Sequence, residues 1–168
     1  TDMGLQVYSF SGRGKLKLAY SSNKVPLTKV MCISPRLKAN GFWIGTEDAG
    51  LVYFTPGPTD ESSVAKLYDD KSGLTNLNVQ SLVESPGNLL WIGSEGKGFY
   101  KYHFGTDSLL TPFLPAHAGD SISMENVRAI FTDGFGQTWM GTYGSGLMCI
   151  ANKTFATYRL KQDSTNAM

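Results

Sequence analysis

Three acidic residues in turn-like stretches, Glu47, Asp48 and Glu95, are the side chains of this sequence that could divide general acid and base work between them. Glycoside hydrolysis needs two such carboxyls flanking the scissile bond at a set separation. Nothing in the spacing of these three sets that separation, and acidic residues in turns ordinarily face solvent, so no catalytic residue is assigned and the chain is not read as an enzyme. The histidines add nothing. His103 ends a strand-like run and His117 sits in a Pro-Ala-His-Ala loop, each without a partner for nucleophilic catalysis or a helix suited to phosphorelay. Cys32 and Cys149 have no second Cys or His at ligand spacing, so they read as free thiols with a packing role, and neither a metal nor a cofactor is expected. The run Gly93-Ser94-Glu95-Gly96-Lys97-Gly98 is glycine-rich like a phosphate loop, but a strand follows where the helix N-terminus that binds phosphate would have to stand.

These polar residues make better sense as binding groups, and that depends on what carries them. One stretch is spelled three times: Phe42-Trp43-Ile44-Gly45-Thr46 with Gly50-Leu51, Leu90-Trp91-Ile92-Gly93-Ser94 with Gly98-Phe99, and Thr138-Trp139-Met140-Gly141-Thr142 with Gly146-Leu147. The tryptophans are 48 residues apart at both steps, with a glycine two and another seven residues after each. A period near fifty points to a solenoid, propeller or array. Between the copies, glycine recurs with Asn, Asp, Ser and Pro around short apolar runs, as in many short strands joined by tight turns, and no stretch holds a helical period.

Strands are expected at 4–10 and 15–20, then in quartets at 29–34, 41–46, 50–54 and 64–68, at 79–84, 89–94, 98–103 and 108–113, and at 127–132, 137–142, 146–151 and 155–160. Four antiparallel strands per 48 residues suit a propeller blade better than a solenoid coil. The fold expected is therefore all-β, a propeller fragment of about three and a half four-stranded blades: an outer half blade at 1–26, blades at 27–74 and 75–122, and a blade plus tail at 123–168. Each tryptophan would fill the widening wedge between blades. Gly45, Gly93 and Gly141 would let backbones approach, and Gly50, Gly98 and Gly146 would end the turn into the third strand.

On a propeller, the turns from second to third strand and the links between blades emerge on one face beside the axis. They present Glu47 and Asp48, Glu95 and Lys97, Tyr143 and Ser145, with Asn76, Asn78, Asp120, Asn126 and Arg128 from the links. Carboxylates, amides and an aromatic ring around a funnel would hold a hydroxyl-rich ligand, such as an oligosaccharide, by hydrogen bonding and stacking.

At 168 residues the chain fits one domain, and a hydrophobic fraction of 41% can fill its core. A net charge of +1 with both signs scattered gives no basis for nucleic acid or an anionic membrane as partner. No run of about 18 apolar residues could span a bilayer and no leader pattern opens the sequence, so no membrane contact by this segment is expected.

Trp-Ile-Gly-Thr, a short polar turn, Gly-Leu and a strand ending in Tyr or Phe together resemble the two-component regulator propeller repeat. The departures are Met140 for Ile, Ser94 for Thr, Phe99 for Leu, and a third strand without an aromatic at Leu147-Met148-Cys149-Ile150. In that family the repeats form two successive seven-bladed propellers outside the cytoplasmic membrane, followed by a β-sandwich, a membrane helix and a histidine kinase or other output. The resemblance implies a periplasmic or otherwise extracytoplasmic sensor segment, responsive to carbohydrate breakdown products, with the remaining blades of a parent propeller as its neighbours. Two other readings stand beside it: a propeller lyase or hydrolase acting on polysaccharide, and a protein-interaction scaffold. Three and a half blades would also leave sheet faces open, so self-association through them is expected.

Overall fold

The computed structural model of the chain describes residues 5–11, 14–25, 29–110, 126–151 and 154–158. Leu5–Ser11 (β1) and Lys15–Ser22 (β2) form a two-stranded sheet. Three four-stranded sheets follow. The first holds Val30–Pro35 (β3), Phe42–Thr46 (β4), Leu51–Thr55 (β5) and Val64–Tyr68 (β6). The second holds Val79–Ser85 (β7), Leu89–Ser94 (β8), Phe99–His103 (β9) and Ser108–Leu110 (β10). The third holds Val127–Thr132 (β11), Thr138–Thr142 (β12), Gly146–Ala151 (β13) and Thr154–Tyr158 (β14). Within each sheet the strands pair antiparallel in chain order. The fold is a partial β-propeller with one half blade and three whole ones. All fourteen expected strands are present with ends shifted by a residue or two. The expected strand 108–113 is described only to Leu110, and the expectations placed on 12–13, 26–28, His117, Asp120 and 159–168 lie outside the described residues.

One element was not expected. Asp70–Ser72 is a single 3₁₀ turn after β6, capped by Asp69 Oδ1, which accepts from the amides of Lys71 and Ser72, and closed by Gly73 at φ 90°. The Asp cap and the glycine three residues past the turn's start are its sequence signal.

The inner strands β3, β7 and β11 lie side by side, and the outer strands splay apart. The apolar contents sit between sheets in three layers. Val25, Ile44, Val52 and Phe54 meet Leu5 and Val7 of the half blade. Trp43, Leu51 and Tyr68 of the first whole blade meet Leu82, Leu90, Ile92, Tyr100 and Tyr102 of the second. Trp91 and Phe99 of the second meet Val127, Met140 and Met148 of the third. Trp43 and Trp91 thus fill equivalent wedges against the following blade. Trp139, with no blade after it among the described residues, is only half-buried, and Leu147 is exposed where its counterparts Leu51 and Phe99 are fully buried.

The motif glycines answer to geometry. A Cβ at Gly45 would stand 2.6 Å from Val79 Cγ1, and one at Gly93 would stand 2.8 Å from the carbonyl oxygen of Val127, so each glycine admits the inner strand of the next blade. Gly50, Gly98 and Gly146 have φ of 85°, 75° and 84°, the left-handed region that side chains resist. Thr46, Ser94 and Thr142 lock the same turn: each hydroxyl donates to the carbonyl of that glycine, at 2.8, 3.0 and 2.8 Å. Ser94, which stands for Thr in the second copy, keeps the hydroxyl that makes this bond.

Candidate functional site

Each inner strand carries the same irregularity. The β3–β4 register skips Met31, the β7–β8 register skips Gln80, and the β11–β12 register skips Arg128. A β-bulge leaves one residue unpaired and re-aims its side chain. Here the bulge residue comes directly after the first Val of the strand in every blade, beside the turns from second to third strand. Those turns are tied to the inner strands by a repeated backbone bond, Glu47 N to Lys29 O, Glu95 N to Asn78 O and Tyr143 N to Asn126 O, at 3.0 to 3.2 Å.

Between the second and third whole blades these positions converge on Glu95. Arg128 Nη2 lies 2.9 Å from Glu95 Oε1, while Arg128 Nη1 donates to Gln80 Oε1 at 3.0 Å. Asn78 Nδ2 and Gln80 Nε2 donate to Glu95 Oε2 at 3.1 and 3.3 Å, Gln80 also donates to Asn78 Oδ1, and the Asn76 amide donates to the Glu95 carbonyl. Asn126 Oδ1 accepts from Gly96 N at 2.9 Å, fixing the turn that carries Glu95. The Arg128 guanidinium lies 5.9 Å from the ring of Tyr143, which is exposed.

The Glu95–Arg128 pair is about two-fifths exposed on both sides. Pairs of that kind contribute roughly 0–1 kcal/mol to stability. Holding the chain folded is therefore a poor reason for such a cluster, whereas holding two side chains in a fixed pose beside an exposed aromatic ring is what a binding site requires.

Of the residues expected at the site, Asn76, Asn78, Glu95, Asn126, Arg128 and Tyr143 come together. Glu47 and Asp48 do not join them. Glu47 pairs with Lys29 at 2.9 Å, and this hydrogen bond, with the charge behind it, raises the Lys29 pKa above its ordinary value. Lys97 is exposed and stands outside the network. The sequence reading passed over Gln80, although a polar residue directly after the first Val of an inner strand, as in Val127-Arg128, was the available signal.

The opposite face holds two braces between blades. Glu84 on β7 is buried, 2.8 Å from Arg36 Nε, and accepts from Trp43 Nε1 at 3.1 Å and Leu37 N at 3.3 Å. Arg36 lies over Trp43, Tyr53 and Phe104. Farther out, Tyr102 donates to Asp107 at 2.5 Å, its hydroxyl oxygen lies 3.0 Å from that of Tyr68, and Lys66 pairs with Asp107 at 2.9 Å. Burial, then the bond to Asp107, pushes the Tyr102 phenol far above its usual range. The Tyr102 hydroxyl, then Lys66, holds the Asp107 carboxyl below its usual range.

The same fold occurs in solved structures. The extracellular domain of BT3049, a chain assigned as a hybrid two-component system of B. thetaiotaomicron, matches 99% of this chain and 22% of its own length, with a TM-score of 0.67 at 22% identity. That of BT4673 from the same organism matches 99% of this chain and 21% of its own, at 0.67 and 21% identity. PorZ, a surface component of the type-IX secretion system of Porphyromonas gingivalis, matches 90% and 26%, at 0.63 and 14% identity. The chain thus spans about a fifth to a quarter of the length of these proteins. No family model and no curated protein matches the sequence.

Proposed function

We propose that the chain is a segment of the extracytoplasmic ligand-sensing propeller region of a two-component sensor or regulator. Its ligand is hydroxyl-rich and carbohydrate-derived, and its output is a histidine kinase elsewhere in the protein. The observation that carries this reading is the Glu95–Arg128–Gln80–Asn78 network, preorganised beside the exposed Tyr143 ring at the axial end of two adjoining blades. Support comes from the Trp-Ile-Gly-Thr repeats and from the extracellular domains of two-component proteins that share the fold. Tyr143 supplies a stacking face, and Arg128 and Asn126 supply donors for hydroxyl oxygens. Binding would signal by favouring one arrangement of neighbouring propellers or subunits over another, to the extent of its differential affinity for the two.

The polysaccharide-cleaving alternative is weaker because Glu95, the carboxyl at the centre of the site, already accepts from Arg128, Asn78 and Gln80. Thermal shift of the protein against a panel of oligosaccharides tests the proposal: at least one raises Tm, and Arg128→Ala abolishes the rise. Turnover of any of these sugars would favour the enzyme. A protein partner captured in the absence of any sugar response would favour the scaffold.

A further inference from the structure

A groove of about 250 Å³ runs between β1 and the first whole blade, lined by Leu5, Val7, Tyr8, Ile33, Phe42 and Ile44. The repeat shows what covers such a surface elsewhere. Val79 and Val127 are fully buried, yet Val30, at the same register position, is 46% exposed. Leu82 is 9% exposed and Ile33 is 56%; Leu90 is 0% and Phe42 is 38%. At the second blade, Trp43 with its neighbours covers Leu82 and Leu90, and Gly45 lets Val79 come close.

The outer half of this same surface is already covered. Leu5 and Val7 pack on Ile44, Val52 and Phe54 as the outer strands of a preceding blade would, and among the described residues β1 pairs only with β2, so its other edge is open. The groove therefore continues an existing interface between blades, at the place where the inner two strands of that blade belong.

We propose that the groove is the seat of an antiparallel strand pair of this same repeat, which adds to the open edge of β1 and covers Val30, Ile33 and Phe42 with the ring of a Trp-x-Gly strand. Addition at an edge supplies main-chain hydrogen bonds, and the apolar seat supplies selectivity. The occupant has one further requirement. Trp43 finds its acceptor in Glu84 of the following blade, but the corresponding residue ahead of Phe42 is Pro35, whose side chain offers none. The incoming tryptophan is best satisfied from its own turn, as Trp139 is by Asp133 at 2.9 Å, since otherwise its nitrogen stays buried and unmet as that of Trp91 does.

The third blade's own strand pair, 126–142, meets both requirements and serves as the probe. Joined ahead of Thr1 in the full chain, it places three residues and Gly4-Leu5 after its last threonine, the spacing that precedes Gly146-Leu147. A matched fusion is compared with one carrying Trp139→Ala and Gly141→Val in the added copy. The β1 amides should exchange at least tenfold more slowly in the matched fusion, with Tm higher by about 5 °C, and Ile33→Asp in the seat should remove both gains. Exchange no slower than in the mismatched fusion overturns the proposal. It is also overturned if the unfused chain sediments as a dimer that Ile33→Asp dissociates, since a second copy would then fill the seat.

Discussion

Trp43 Nε1 donates to Glu84 Oε2 across the boundary between two blades, at 3.1 Å, whereas the equivalent nitrogen of Trp91 is buried with no partner among the described residues. The two rings fill equivalent wedges, so replacing each with phenylalanine isolates the hydrogen bond. Trp43→Phe should destabilise by about 1–2 kcal/mol more than Trp91→Phe, because it takes one of three donors from the buried Glu84 carboxylate while the other removes an unmet donor. Urea unfolding of both variants measures the difference, and equal losses would show that Glu84 does not depend on the indole.

Glu84 also pairs with Arg36 in a poorly solvated position. Removing one member of a buried ion pair costs about 3–5 kcal/mol, since the other charge is left uncompensated. Glu84→Ala should fall in that range by urea unfolding. Glu95→Ala, which breaks a half-exposed pair, should cost no more than about 1 kcal/mol while impairing binding.

The glycine two residues after each tryptophan should tolerate a methyl group only where the next blade leaves room for it. Gly45→Ala and Gly93→Ala drive a Cβ into Val79 and Val127 and should each cost about 1–3 kcal/mol. At Gly141 the nearest atom is Ala129 Cβ at 3.6 Å, ordinary contact, so Gly141→Ala should be close to neutral. Melting curves of the three variants read this directly.

The Asp107 brace gives a pH signature. Its carboxyl is held below the ordinary range by the Tyr102 hydroxyl first and then by Lys66, so the folded state binds the proton less readily than the unfolded chain does. The stabilisation is present above the ordinary carboxylate pKa and is lost as pH falls through the lower folded value. Asp107→Asn should flatten this acid limb in Tm measured from pH 6 to pH 2; a limb that keeps its shape would remove Asp107 as its source.

Burial pushes the Cys32 thiol up to about 12, far above the pH at which thiolates normally form. Cys32 should resist maleimide at pH 7.5 in the folded protein and react in urea, as peptide mass mapping would show. Rapid native labelling would mean that the cleft between β3 and β7 opens.

Much of the fold was legible because the motif residues answer to backbone geometry. A left-handed φ at Gly50, Gly98 and Gly146 and a close approach at Gly45 and Gly93 each demand glycine, so the pattern survives while neighbouring residues vary. The cluster around Glu95 was legible in part, because loop parity alone puts Asn76, Asn126 and Arg128 on the same face as Tyr143. Gln80 was marked only by its place directly after the first Val of its strand, as in Val127-Arg128, because the bulge that brings it into the cluster is set by pairing register rather than composition. The Arg36–Glu84 brace was hidden for a related reason: the turn between the first two strands runs over 36–41 in one blade and only 86–88 in the next, so equivalent positions slip out of line.

The site itself is tested most directly by amide chemical shifts during titration with the oligosaccharide that stabilises the protein most. Perturbations should concentrate at Asn76–Gln80, Glu95–Lys97, Asn126–Arg128 and Tyr143 and vanish in Arg128→Ala. Shifts centred instead on Arg36, Lys66 and Asp107, at the other end of the blades, would contradict the account.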